Sequence, residues 1–308
     1  MVFFWFFEAR RRIAATCGGS VTRPPRSGQT IICPRLREIS LAADAGGLPS
    51  RGHPTMLPRT PAPHPPPGTS TSGPMASTTT LDTKLPLRVI CVESQPFAQN
   101  SYLLAAGPGQ PWLLVDPGFE PEAVIAAAGA FGEPAAVLLT HGHSDHIAGN
   151  AAVKSRWPQV PLLIGHAETN KLTDPVANLS HNFGIDVVSP PADRTVAEGD
   201  RLSLAGFDLL VHEIPGHSSG HVVFVVRREE AGAGERMLLL AGDVLFRGSV
   251  GRTDFPDGDF AALAAGIRSR LYTLPDDTLV LPGHGPTTTI GREKRENPFV
   301  AAAAGRPD

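Results

Sequence analysis

The segment THGHSDHIAGN at 140–150 places His141, His143, Asp145 and His146 within six residues, directly after the apolar run AVLLT. A short loop at the end of a buried strand can turn such side chains into one cavity while its backbone stays anchored. Imidazole nitrogen and carboxylate oxygen together suit zinc, iron or manganese. Four candidates on one loop exceed what a single open tetrahedral site takes from one segment. Two metal ions sharing the loop is the simpler reading. A merely solvated loop fits poorly, because ionisable groups packed beside an apolar strand need compensating partners.

Three further segments repeat the pattern. HEIPGHSSGH offers His217, with His221 four residues on; LLLAGDVLF offers Asp243; LVLPGHGPT offers His284. Each candidate stands at the end of an apolar strand, beside glycine. A lone strand-end histidine is more often a hydrogen-bonded structural residue than a ligand. Four segments with the same grammar point to a shared metal site.

Elements of matching type can be read around these loops. LRVICVE, NSYLLAA and WLLVD read as strands separated by Gly and Pro turns, PEAVIAAAGAF as a helix, and IAGNAAVKSRW as a second helical stretch. Strands follow at PLLIG, FDLLVHEI, HVVFVVR, MLLLAGD and TLVLPG, with a helix near DFAALAAGIRSRL. The expected α/β product is two sheets face to face with helices on the outside. Composition changes near residue 85. The earlier part is rich in Pro, Ser, Thr, Gly and Arg, as in RTPAPHPPPGTSTSGP. Residues 1–84 are therefore expected to form a disordered extension and 85–308 the folded domain. The extension reads either as a transit-like address or as an over-long start, with translation beginning at Met56 or Met75.

A formal net charge of −3 gives no reason to expect nucleic acid or an anionic membrane as partner. No apolar stretch approaches the ~18 residues that span a bilayer. In the opening VFFWFFEARRR the basic residues follow the apolar run, the reverse of a secretory signal. Three dispersed cysteines, Cys17, Cys33 and Cys91, fit a reducing compartment. The expected location is the cytoplasm, or an organelle if the extension is a genuine transit peptide.

In their order along the chain, THGHSDH, PGHSSGH, AGD and PGHGP resemble the metallo-β-lactamase superfamily, over roughly residues 85–300. That resemblance implies an αββα sandwich with its metals at one edge. It implies that His141, His143 and His217 hold one metal, that Asp145, His146 and His284 hold a second, and that Asp243 bridges them. His221 falls outside this ligand set, in a supporting or structural role. Two divalent cations, zinc first with iron or manganese as alternatives, would lower the pKa of a bridging water towards neutrality. Asp145 and Asp243 are the carboxylates expected to take part in catalysis.

DVLFRGSVGRTDFPDGD and PGHGPTTTIGREKRENPF narrow the resemblance to the glyoxalase II-like, shorter bacterial-type branch. The implied activity is hydrolysis of a small-molecule thioester, whose thiolate leaves without a dedicated acid. Arg252 falls where that family offers a basic residue to glutathione, and is the expected substrate contact. Asp254 stands where the family has an aromatic hydroxyl. Only 24 residues follow His284, too few for the helical domain that completes a glutathione site. The run Arg292–Glu293–Lys294–Arg295 is either a substitute anion contact or a solvated helix face. The rival within the fold is a persulfide dioxygenase-like enzyme with one iron on His141, His217 and Asp243. A non-catalytic scaffold is a weaker reading, since degenerate members lose ligands and all seven are present here. A β-lactam-hydrolysing role is weaker too, because Asp243 resembles the bridging carboxylate of the thioesterase branch.

Overall fold

Side-chain alternation along the strands sets the layers of this protein. A computed structural model describes residues 76–83, 87–230 and 234–301. The first sheet holds, in spatial order, β1 (Ser77–Leu81), β2 (Arg88–Ser94), β3 (Gln99–Ala105), β4 (Trp112–Val115), β5 (Pro134–Leu138), β6 (Leu162–Gly165) and β7 (Arg194–Val196). The second runs β15 (Thr288–Thr289), β14 (Leu279–Pro282), β11 (Gly234–Gly242), β10 (Val222–Glu230), β9 (Phe207–Glu213) and β8 (Arg201–Leu204), and β12 (Leu245–Phe246) pairs separately with β13 (Ser249–Val250). In β4, Leu113 and Val115 face the second sheet, while Trp112 and Leu114 face outwards. In β10, Val222, Phe224 and Val226 point inwards, and Val223 and Val225 outwards. Strands buried on both faces need cover on both.

That cover is helical. Helices α1 (Pro121–Ala127), α2 (Ser144–Ile147) and α3 (Asn150–Arg156) contribute Val124, Ile147 and Val153 to the outer layer of the first sheet. Helix α4 (Phe260–Arg270) seats Leu263, Ala264 and Ile267 on the second, and its first turn is capped by Asp259, which accepts from the Ala262 amide at 3.0 Å. The result is the expected αββα sandwich.

The sheets are also hydrogen-bonded together at one edge. The Asn100 side chain donates to the carbonyls of Pro282 (3.1 Å) and Gly285 (2.8 Å). The Tyr102 hydroxyl donates to Pro282 O at 2.7 Å, and the Val222 amide donates to Thr140 O at 2.8 Å. This edge carries the ends of β5, β11 and β14, where the ligand candidates begin.

The domain boundary differs from expectation. Residues 1–84 were expected to be disordered throughout, but Ser77–Leu81 is β1, antiparallel to β2, with Ser77 opposite Glu93 and Leu81 opposite Val89. β-Branched threonines favour strands, and the edge of β2 supplies backbone partners. The exposed, polar STTTL run carries no apolar alternation by which to recognise it. The remainder of the expected extension, residues 1–75, lies outside the described residues. The basic run 292–295 lies on α5 (Ile290–Glu296), which turns it into a set of local ion pairs. Arg292 pairs with Glu296, while Lys294 and Arg295 pair with Asp276. It is not part of the candidate site, so the substitute anion contact is not realised.

Candidate metal centre

All seven ligand candidates meet at the hydrogen-bonded edge. His141 follows β5 by three residues, and Asp145 and His146 sit on the first turn of α2. His217 lies in the β9–β10 loop, Asp243 directly follows β11, and His284 is two residues beyond β14. Ligand atoms of His141, His143 and His217 lie within 4.8 Å of one another, as do those of Asp145, His146 and His284. His141, His146 and Asp243 form a third such group, across the other two.

Asp243 occupies the middle. Its Oδ1 is 3.4 Å from His146 Nε2, and its Oδ2 is 3.6 Å from His217 Nε2 and 3.5 Å from His284 Nε2. Asp145 Oδ2 is 3.2 Å from His284 Nε2. Glycine makes this approach feasible: a Cβ on Gly283 would stand 2.2 Å from Asp243 Oδ1. Gly242 has φ +47°, and a Cβ there would meet Thr140 Oγ1 at 2.4 Å.

The chemistry of the donor set suits cations. His217 Nδ1 faces the Arg252 carbonyl at 2.9 Å, and His284 Nδ1 faces the Phe97 carbonyl at 3.1 Å. His146 Nδ1 faces Asp116 Oδ2 at 3.0 Å. The Thr140 hydroxyl donates to Asp116 at 2.7 Å and so accepts from His141 Nδ1 at 3.0 Å. In its neutral form each of these rings therefore keeps its proton on Nδ1 and aims an Nε2 lone pair inwards. His143 Nδ1 comes within 2.9 Å of His217 Nε2. Among the described residues, buried His141 Nε2 and Asp243 Oδ1 have no hydrogen-bond partner. Converging lone pairs and carboxylates with orphaned atoms among them are what a metal ion would satisfy.

The ionisation pattern agrees. Burial pushes His141 and His143 well below the usual imidazole range, and His217 below it, so these rings stay neutral as ligands must. Burial also opposes charge on His146, but Asp243 and Asp145 outweigh it and hold that ring well above the usual range. Burial likewise disfavours the charged form of Asp243, yet His284 and His146 hold its carboxyl well below the ordinary range.

Two supports lie outside the residues that the sequence motifs single out. Asp116, at the end of WLLVD, accepts from the Thr140 amide at 2.8 Å as well as from the Thr140 hydroxyl and His146. Its strand-end position beside Pro117 and Gly118 matches that of the ligands, a signal that could have found it. Glu168 and Lys171 are buried beneath the ligand loops. Glu168 accepts from the amides of Gly142 (2.9 Å) and Gly220 (2.7 Å), the Ser218 hydroxyl (2.6 Å) and Lys171 (3.1 Å). Lys171 also donates to Asp257 at 2.7 Å and closely to Ser218. Nothing in GHAETNKL announces this. His221 is not among the grouped ligands. It stacks on His141 at 4.7 Å and accepts from the Asp243 amide at 3.0 Å, which fixes where Asp243 leaves β11. The Cys91 thiol, pushed up to about 12 by burial, is no reactive nucleophile.

A cavity of about 800 Å³ opens over the ligands, lined also by Phe97, Leu179, Phe183, Phe246, Val250, Arg252, Asp254 and Phe255. Arg252 thus reaches the cavity as expected, but its Nε and Nη2 both bind Asp254, each at 2.8 Å.

The family model described as the Metallo-beta-lactamase superfamily matches residues 94–284, a span that includes every ligand candidate. Hydroxyacylglutathione hydrolase GloC of Haemophilus influenzae is 38% identical over 192 residues, covering 61% of this chain and 86% of that protein. Among solved structures, BLEG-1, a B3 metallo-beta-lactamase, is 35% identical with a TM-score of 0.63, covering 69% of this chain and 99% of the other. TTHA1623 in a di-iron-bound form is 39% identical with a TM-score of 0.55, covering 68% of this chain and 98% of the other.

Proposed function

The chain belongs to the metallo-β-lactamase superfamily as a metallo-hydrolase, and from that premise we propose that it hydrolyses a small-molecule thioester in the manner of a hydroxyacylglutathione hydrolase. His141, His143 and His217 would hold one divalent cation, Asp145, His146 and His284 a second, and Asp243 would lie between them. When bound, such a pair supplies hydroxide near neutral pH and polarises the scissile carbonyl. The protein's own part is to fix that geometry. Asp116, Thr140 and the carbonyls of Arg252 and Phe97 lock the imidazoles in one tautomer and orientation. Asp243 offsets part of the cationic charge.

The observation that carries the thioester reading is what stands around the ligands. Among the described lining residues, no Lys, Tyr or further His stands ready to protonate a leaving group. The Asp254 carboxyl is held low by its bond to Arg252. A thiolate, whose conjugate acid has a pKa near 8.5, departs without such help, whereas an amine does not. The same argument disfavours β-lactams. A single iron on His141, His217 and Asp243, as in a persulfide dioxygenase-like enzyme, would leave the convergent Asp145–His146–His284 group without purpose.

Elemental analysis paired with turnover tests this. We expect close to two metal ions per chain and hydrolysis of S-lactoylglutathione or a simpler thioester, abolished by chelation. One tightly held iron per chain, with oxygen uptake on glutathione persulfide, would replace this reading with the dioxygenase one.

A further inference from the structure

Resting on the thioesterase reading, we propose that the cavity beside the ligands takes an uncharged, apolar or aromatic group. The preferred substrate is then a neutral thioester rather than a glutathione conjugate. Glutathione brings two carboxylates and an ammonium, and each needs a partner once it leaves water. The cavity offers little of that kind. Phe97, Leu179, Phe183, Phe246, Val250 and Phe255 share the wall beyond the ligands with the uncharged polar Ser144, Asn178, Asn182 and Ser249, and among the described residues Arg252 is the one Arg or Lys in the lining.

Arg252 is committed elsewhere. Its Nε and Nη2 form a two-pronged bond to both oxygens of Asp254, each at 2.8 Å, which is the fork a substrate carboxylate would use. The guanidinium also lies over the Phe255 ring, 4.7 Å from its centroid, and the Arg252 carbonyl meets His217 Nδ1 at 2.9 Å. Its backbone and its head are thereby both fixed. A substrate carboxylate seeking Arg252 meets Asp254 on the same edge, so the pair presents no net charge to the cavity.

Other lining residues are held for apolar contact. Leu179 has φ +69°, a left-handed backbone that leucine rarely adopts. It is held there by Asn178, whose side chain donates to the carbonyls of Lys171 and Val187 and accepts from the Ser180 amide. Strain of this sort persists where the surroundings over-determine it, and here it keeps an apolar side chain at the cavity. Ala98, at φ +53°, lines the same space. Phe97 meets Phe183 edge-on at 5.4 Å, leaving an aromatic corner facing the ligands.

The test uses the metal-loaded full chain and two non-hydrolysable thioethers that share one benzyl group, S-benzyl-N-acetylcysteamine and S-benzylglutathione. Calorimetry should show the neutral thioether binding about tenfold more tightly, near the lower end of what a single unsatisfied polar group costs. Asp254→Asn keeps the shape but removes the carboxylate that neutralises the guanidinium, so it should move the ratio of the two dissociation constants about tenfold towards S-benzylglutathione. Phe183→Ser should move affinity for both thioethers in the weaker direction. Tighter binding of S-benzylglutathione to the parent, weakened by Arg252→Ala, would overturn the inference and restore Arg252 as a glutathione anchor. The corresponding acetyl thioesters separate the two levels of argument. If the thioethers bind as expected but neither thioester turns over, the hydrolase reading fails while the apolar site stands.

Discussion

A carboxylate outside the ligand set does much to shape the ligand geometry. Asp116 binds the backbone and hydroxyl of Thr140 and the far nitrogen of His146, and so sets the orientation of one ligand from each group. Asp116→Asn keeps the volume but turns an acceptor into a donor against one of these partners. Metal affinity should fall about 10- to 100-fold, read by competition with a chromogenic chelator; unchanged affinity would remove Asp116 from the site's design. The raised pKa of His146 gives a second expectation. Above its ordinary range the ring still holds its proton at neutral pH, and that proton must leave when Nε2 binds a cation. Affinity should therefore rise with pH until the raised value is passed, by about tenfold per unit for one proton. Asp243 and Asp145 raise His284 as well, against its burial, so loading the metal-free chain at pH 7 in weak buffer should release protons, and His146→Gln should release fewer than the parent. Equal release by the two, read with an indicator dye, would contradict the role assigned to His146. The ligand candidates stand out in the sequence because their four segments each follow an apolar strand and carry glycine beside the first candidate. Asp116 shares that position but stands in no histidine-rich motif, and so was passed over.

Elements mattered where sequence patterns were silent. The long apolar strands and the main helices follow from alternation and period, and the structure has them. Ser77–Leu81 and Arg194–Val196 do not, because short polar edge strands are made by the neighbour's free backbone groups rather than by their own pattern. The turn His166–Leu172 reads as charged and solvated, yet Glu168 is 0% and Lys171 5% exposed. Their burial makes sense only once the β5–α2 and β9–β10 loops close over them. Glu168→Ala would strand the amides of Gly142 and Gly220 and remove one of the buried Lys171's two carboxylate partners. Breaking such a pair costs about 3–5 kcal/mol, to be seen as a lowered denaturation midpoint. A loss below about 1 kcal/mol, the usual worth of an exposed pair, would show that the network is not structural.

At the scale of the whole molecule, we expect residues 1–74 to be dispensable and the strand behind them not. Removing residues 1–74 leaves every described element in place, so folding and hydrolysis should be unaffected. Cutting on to residue 84 strips β1 from β2 and bares a row of unpaired backbone groups, an invitation to aggregate. Comparing the soluble yield and activity of the two truncations checks this, and equal behaviour would make β1 dispensable. The ligands also divide between the sheets. His141, His143, Asp145 and His146 hang from the first sheet, and His217, Asp243 and His284 from the second, so each ligand group draws on both halves of the sandwich. Ions seated there act as rivets. With free metal a hundredfold above its dissociation constant, one such rivet adds about 2.7 kcal/mol to the folded state, and limited proteolysis with and without chelator should register the difference. The protein's lifetime in a cell would then follow the local metal supply, and starvation for metal would send idle copies to the proteases first.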